Sequence, residues 1–91
     1  MQVTWTSKSL EDLARLHAFL RPVNSQAAAA VVRNLTAGAK RLERFPQLGT
    51  ALPEFAPRDV RRLIIVDYEM RYELKDDAVF ILRLWHARED R

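Results

Sequence analysis

The hydrophobic periods along these 91 residues predict an α+β fold. Its order is β-α-α-β-β-β, a mostly antiparallel sheet with an N-terminal helical hairpin packed on one face. Three observations carry this. Two successive segments of the first half repeat apolar residues at helical spacing, with only a short link between them. Beyond Arg58 the repeat changes to two, in three successive runs. Those runs are joined by links short enough to demand antiparallel neighbours.

Residues 2–6 open as a strand, because Val3 and Trp5 alternate with the β-branched Thr4 and Thr6. Ser7 or Ser9 can cap the helix that follows, with Glu11 and Asp12 complementing its dipole. Leu10, Leu13, Leu16, His17 and Leu20 form its apolar stripe, and Pro22 ends it. Asn24 or Ser25 caps a second helix, expected to run to about Arg44 on the stripe Ala28, Val31, Val32, Leu35, Ala39 and Leu42. Arg33, Lys40 and Arg44 share another face of that helix. The stretch FPQLGTALPEFAP has three prolines and no period, and reads as a loop.

VRRLIIV, YEMRYEL and AVFILRLWH are the three strands. The middle one puts Tyr68, Met70, Tyr72 and Leu74 on one face, and Glu69, Arg71 and Glu73 on the other. Asp76 and Asp77 make the tight turn into the last strand. That strand is apolar on both faces, so it belongs inside the sheet.

Composition bounds the function. At 48% hydrophobic and 30% charged residues the chain is globular, and its length suits one domain, residues 1–91. The absence of cysteine excludes disulfides and thiolate metal sites. With no leader-like N-terminus and no apolar run near ~20 residues, the expectation is a cytoplasmic protein without a membrane partner. The net charge is +3, yet residues 58–91 carry eight basic and eight acidic side chains. The excess falls on Arg33, Lys40, Arg41 and Arg44 against Glu43, which reads either as a solvated helix face or as one that attracts anions, nucleic acid or acidic protein.

Enzymatic chemistry has few bearers. Gly38 and Gly49 make no phosphate loop, and the two histidines, His17 and His86, make no metal cluster; neither cofactor nor metal is expected. His17 reads as a packed, hydrogen-bonded residue of its helix, Phe19 as core edge or exposed contact, and Trp85 as core or interface. Around the sheet stand Arg61, Arg62, Arg71, Arg83, His86 and Arg88, with the hydroxyls of Tyr68 and Tyr72. Cleaving RNA through its 2′-hydroxyl needs a base, an acid and cations over the phosphate. His86 could move the proton, Arg71 and Arg83 could hold the phosphate, and Arg62 or Arg88 could add charge. Equally, these arginines could pair with Glu69, Glu73 and Asp90, leaving His86 to close its strand with one hydrogen bond.

In order and over nearly the whole chain, these motifs resemble the RelE/ParE superfamily of toxins, and its ParE-like, plasmid-stabilisation branch most. The opening is Trp5, Thr6 and Asp12-Leu13, followed by Leu16 and Phe19-Leu20. Leu42, Phe45-Pro46 and Gly49 resemble the family's L-x-x-F-P-x-x-G. Val60-Arg61-Arg62-Leu63 and Tyr68-Glu69-Met70-Arg71-Tyr72 resemble V-R-x-L and Y-x-I-R-Y. Ile81-Leu82-Arg83-Leu84 with His86 and Arg88 resembles I-L-R-V-x-H-x-R.

The resemblance implies the toxin of a type II toxin–antitoxin system, held by a cognate antitoxin in a hetero-oligomer. ParE-like members inhibit DNA gyrase and so block replication and growth. RelE-like members are ribosome-dependent mRNA endoribonucleases. Nuclease relatives carry an arginine after the first tyrosine of the middle strand, where this chain has Glu69, a charge that would repel a scissile phosphate. Gyrase is therefore the expected target, with the ribosome and its mRNA as the alternative. The residues expected to meet partners are Phe19, Arg33, Lys40, Arg44, Arg61, Arg71, Trp85, His86 and Arg88. If the protein were a nuclease, the catalytic set would be His86, Arg71, Arg83 and Arg62.

Overall fold

A computed structural model describes residues 1–89. The elements are β1 (Gln2–Trp5), α1 (Ser7–Leu20), α2 (Ser25–Arg41), β2 (Thr50–Ala51), β3 (Asp59–Ile65), β4 (Tyr68–Lys75) and β5 (Ala78–His86), with a 3₁₀ turn at Pro53–Phe55. The sheet runs β1-β5-β4-β3-β2. Its pairs are antiparallel except β1 with β5, which are parallel. That parallel pair needs a long crossover, and the α1–α2 hairpin supplies it. The expected architecture is the observed one, and β5 is the interior strand its two apolar faces predicted.

Both helices pack on one face of the sheet. Leu16 of α1 and Val31, Leu35, Ala39 and Leu42 of the α2 segment meet Leu63, Met70, Tyr72, Val79, Ile81 and Leu84 in one cluster. Helical spacing on one side and alternation on the other make this possible. Along β5 the alternation slips once: Arg71 opposes Arg83 but Tyr72 opposes Ile81, leaving Leu82 as an extra residue. Ile81 and Leu84, three apart, therefore both face the helices and are fully buried.

The structure corrects the sequence in four local places. Thr6, not Ser7 or Ser9, caps α1: its hydroxyl accepts the Ser9 N–H at 3.2 Å while Ser9 Oγ donates to the Thr6 carbonyl. Leu10 is half exposed, because α1 is turned so that Ser9, Asp12 and Leu16 face inward. Asn24 does cap α2, but that helix stops at Arg41, so Arg44 lies in the turn beyond it. Within the expected loop, Thr50 and Ala51 pair with Arg62 and Arg61 as a fifth strand. Two residues are too few to show a period.

The rest of that loop is tied to the core by one phenol. The Tyr72 hydroxyl donates to the Pro46 carbonyl and accepts the Gly49 N–H, both at 2.8 Å. A Cβ on residue 49 would lie 2.8 Å from the Arg62 carbonyl oxygen and from the Tyr72 ring, so only glycine fits. Burial pushes the Tyr72 hydroxyl up, keeping it a neutral donor. Asp76 and Asp77 both take positive φ, as a tight hairpin turn requires.

Candidate functional site

β1 ends at Trp5 while β5 continues to His86, so the last part of β5 has an open edge. Side chains of α1, of its cap and of the segment after β5 close it. The Thr6 hydroxyl donates to the carbonyls of Ile81 and Leu82, at 2.7 and 3.3 Å. Asp12 Oδ2 accepts the Leu84 N–H at 2.9 Å, and Arg15 donates to the Leu84 carbonyl at 3.3 Å. Glu89 accepts the His86 N–H at 2.7 Å and pairs with Arg15. An unpaired edge is a template for unwanted strands, and here side chains occupy it.

Arg83 belongs to this seal. Its guanidinium grips Asp12 through Nε at 2.7 Å and Nη2 at 3.2 Å. Asp12 is only 4% exposed, and burial alone would raise its carboxyl. The Arg83 and Leu84 hydrogen bonds and the charges of Arg83 and Arg15 outweigh that and hold it below the usual carboxylate range. Asp12 is thus a buried link and not the dipole complement expected of it. An acidic residue on the inward face of an amphipathic helix, between Ser9 and Leu16, was the available signal.

Beside the seal lies a groove of about 410 Å³, lined mainly by Leu16, Phe19, Leu20, Tyr68, His86 and Arg88. Phe19 is 78% exposed at its edge. The Tyr68 and His86 rings meet edge to face, 5.2 Å between centroids. The Arg88 N–H donates to His86 Nδ1 at 3.0 Å, so the strand end is pinned by more than the one bond expected. Burial, then the charges of Asp67 and Glu89, push the Tyr68 hydroxyl up, leaving it protonated near neutrality.

The opposite face of the sheet carries a row of arginines. Arg62, Arg71 and Arg83 are direct neighbours across β3, β4 and β5. Arg71 lies 4.8 Å from the Trp85 ring and 5.4 Å from Phe55, and bonds Glu69 at 3.1 Å; its Nε has no acceptor among the described residues. Glu69 is on this face as expected, but it is 2% exposed beneath its neighbours. Glu73 pairs with Arg58, whose hydrogen bond draws its carboxyl down.

The structure therefore divides the residues singled out from sequence. Tyr68 opposes His86 and Met70 opposes Leu84, so His86 shares the helix-side face. Arg62 and Arg71 stand on the other. Arg61 faces inward too, bonding Asp59 and the Gly49 carbonyl, which makes it a brace for the loop. Phe19, His86 and Arg88 converge at the groove; Trp85 is buried on the far face. Arg33, Lys40 and Arg44 are exposed away from both. The His17 ring is half-buried and makes no hydrogen bond among the described residues. Asp90, an expected arginine partner, lies outside the described residues. Among the described residues no three His, Asp or Glu side chains converge to hold a metal, and no helix is long and apolar enough to cross a membrane.

Known proteins are similar to this chain in sequence and in fold. Residues 3–91 match the model of a family described as the ParE toxin of type II toxin-antitoxin system, parDE. A curated relative, Toxin RelE2 of Caulobacter vibrioides, is 31% identical over 87 residues, covering 94% of each chain. A solved chain from the chromosomal ParDE TA system of P. aeruginosa superposes with a TM-score of 0.79, covering 94% of this chain and 95% of that one. At 22% identity that likeness concerns the fold. Sequence and fold agree: this chain belongs to the ParE toxin family of type II toxin–antitoxin systems.

Proposed function

We propose that this toxin acts by binding DNA gyrase and not by cutting RNA, and that a cognate antitoxin holds it inactive in the cytoplasm. One observation carries the choice of target: His86 and the pair Arg62 and Arg71 lie on opposite faces of the sheet. A ribonuclease must bring its proton-transfer group and its clamps to one phosphate, within about 3 Å of the reacting atoms. Side chains on opposite faces point apart. Arg83, the third expected clamp, is engaged by Asp12. The antitoxin is supported by the family and by the ParDE system from which the matching chain comes. The groove around Phe19 suits the apolar side of a tail that folds as it binds.

Ribosome-dependent mRNA cleavage is the second reading. It is favoured by the arginine row, by the unused Nε of Arg71, and by likeness to a relative bearing the RelE name. One pair of assays separates the two. Purified toxin is titrated into gyrase with relaxed plasmid, and in parallel into ribosomes programmed with mRNA. Lost supercoiling or trapped cleaved DNA, with intact mRNA, is the expected result. Cleavage of mRNA in the ribosome, abolished by His86→Ala, would reverse the order.

A further inference from the structure

Positive charge is segregated in this molecule. Residues 21–50 carry Arg21, Arg33, Lys40, Arg41 and Arg44 against Glu43 alone, a net of +4, while the whole chain is +3. The remainder is therefore slightly acidic. Arg33, Lys40, Arg41 and Arg44 are all exposed, and none forms an ion pair among the described residues. Beside them stand two exposed apolar side chains, Phe45 at 58% and Leu48 at 40%. Phe45 is flanked by two shallow depressions. One is lined by Ala37, Lys40, Arg41, Glu43 and Arg44, three cations to one carboxylate, and the other by Arg44, Pro46, Gln47 and Leu48.

From this juxtaposition we propose that the C-terminal end of α2, with the turn through Leu48, docks an acidic polypeptide segment carrying an apolar anchor. Charge complementarity selects an anionic partner. The exposed Phe45 and Leu48 select polypeptide over nucleic acid, since duplex phosphates ask only for cations. The turn is held in place before any partner arrives. Phe45 N–H bonds the Arg41 carbonyl at 2.9 Å, and Tyr72 fixes Pro46 and Gly49 from within the core. A preset surface loses little freedom on binding.

This surface is separate from the groove. The groove lies at the C-terminal end of α1, and in an antiparallel hairpin the end of α2 lies at the other extremity. The two are about 25 Å apart along the helix, a span that roughly eight extended residues could cover. The proposal goes beyond the choice between gyrase and ribosome and stands whichever is correct.

The test uses a labelled peptide of about a dozen residues, glutamates and aspartates around one leucine and one phenylalanine, titrated with the full-length toxin and followed by anisotropy. A duplex DNA of the same charge serves as the competing probe. Lys40→Glu with Arg44→Glu should weaken peptide binding about tenfold or more, and Phe45→Ala about fivefold, while Arg21→Glu, at the opposite end of the helical hairpin, changes nothing. These positions are exposed, so unchanged melting curves would show each variant folded. Failure of the wild-type protein to bind the peptide overturns the proposal. So does duplex binding that is tighter than peptide binding and indifferent to Phe45→Ala. Loss of growth arrest or of gyrase inhibition is read in separate assays and bears on the target alone.

Discussion

On the sheet and at its margin, Arg58, Arg61, Arg71 and Arg83 each have a nitrogen within 3.1 Å of a carboxylate oxygen. At α2, Arg33, Lys40 and Arg41, with Arg44 in the turn beyond, meet no carboxylate among the described residues. The same kind of side chain serves two ends. The sheet arginines join parts of the fold: Arg83 ties β5 to α1, Arg58 ties the preceding loop to β4, and Arg61 braces the turn at Gly49. Among the described residues the helix cations join nothing. Charge that stabilises and charge that is offered to a partner are thus separated in space, and substitutions should separate them in measurement.

The largest effect should follow from turning a sheet arginine into an α2-like one. Asp12→Ala strands Arg83 and leaves the Leu84 N–H without its acceptor. The expected loss is about 2–4 kcal/mol of unfolding free energy, because a nearly buried carboxylate is removed from its partners. Denaturant titration reads it. A loss under about 0.5 kcal/mol would mean that the edge of β5 is sealed some other way.

Acid should weaken the same links without mutation. Asp12 and Glu73 have folded-state carboxyls below their unfolded values, so the unfolded chain takes up protons first as pH falls. Their stabilisation is complete above the ordinary carboxylate range and is lost as pH drops below about 4. Melting temperature should fall through that window, and Asp12→Asn should flatten the slope. An unchanged slope in the variant would remove Asp12 from the account.

Arg71 and Arg62 sharpen the comparison within one face. Arg71→Ala forfeits the Glu69 bond and both ring contacts, and should cost roughly 1–2 kcal/mol. Arg62→Ala, at an exposed position, should stay within about 0.5 kcal/mol. Equal losses would erase the distinction. Glu69→Arg is a poor probe of phosphate binding for the same reason: a longer cation cannot take the place of a buried carboxylate without disturbing Arg71.

The smallest effect is expected on α2. Arg33→Ala and Lys40→Ala should leave thermal stability unchanged within about 0.5 kcal/mol, since neither side chain has an ion-pair partner among the described residues. A marked drop in melting temperature for either would place these cations with the structural ones.

Local pattern determined much of this protein. Two helical stripes, three alternating runs and the Asp76-Asp77 turn depend on neighbours a few residues apart, so the element order and the interior place of β5 were legible. One site feature was also within reach. Arg83 and His86 are three residues apart on a strand, an odd spacing that sends them to opposite faces. What the chain could not disclose is which distant groups meet. The pairing of Arg62, Arg71 and Arg83 in one row, with Leu82 slipped out of step, is fixed by strand register. The two-residue β2 exists only because β3 lies beside it. Asp12 became the hub of the β5 edge through hydrogen bonds to residues more than seventy positions away. Those choices belong to the tertiary structure, because a buried carboxylate or an unpaired N–H sets its free energy by the partner it finds in space and not by its neighbours along the chain.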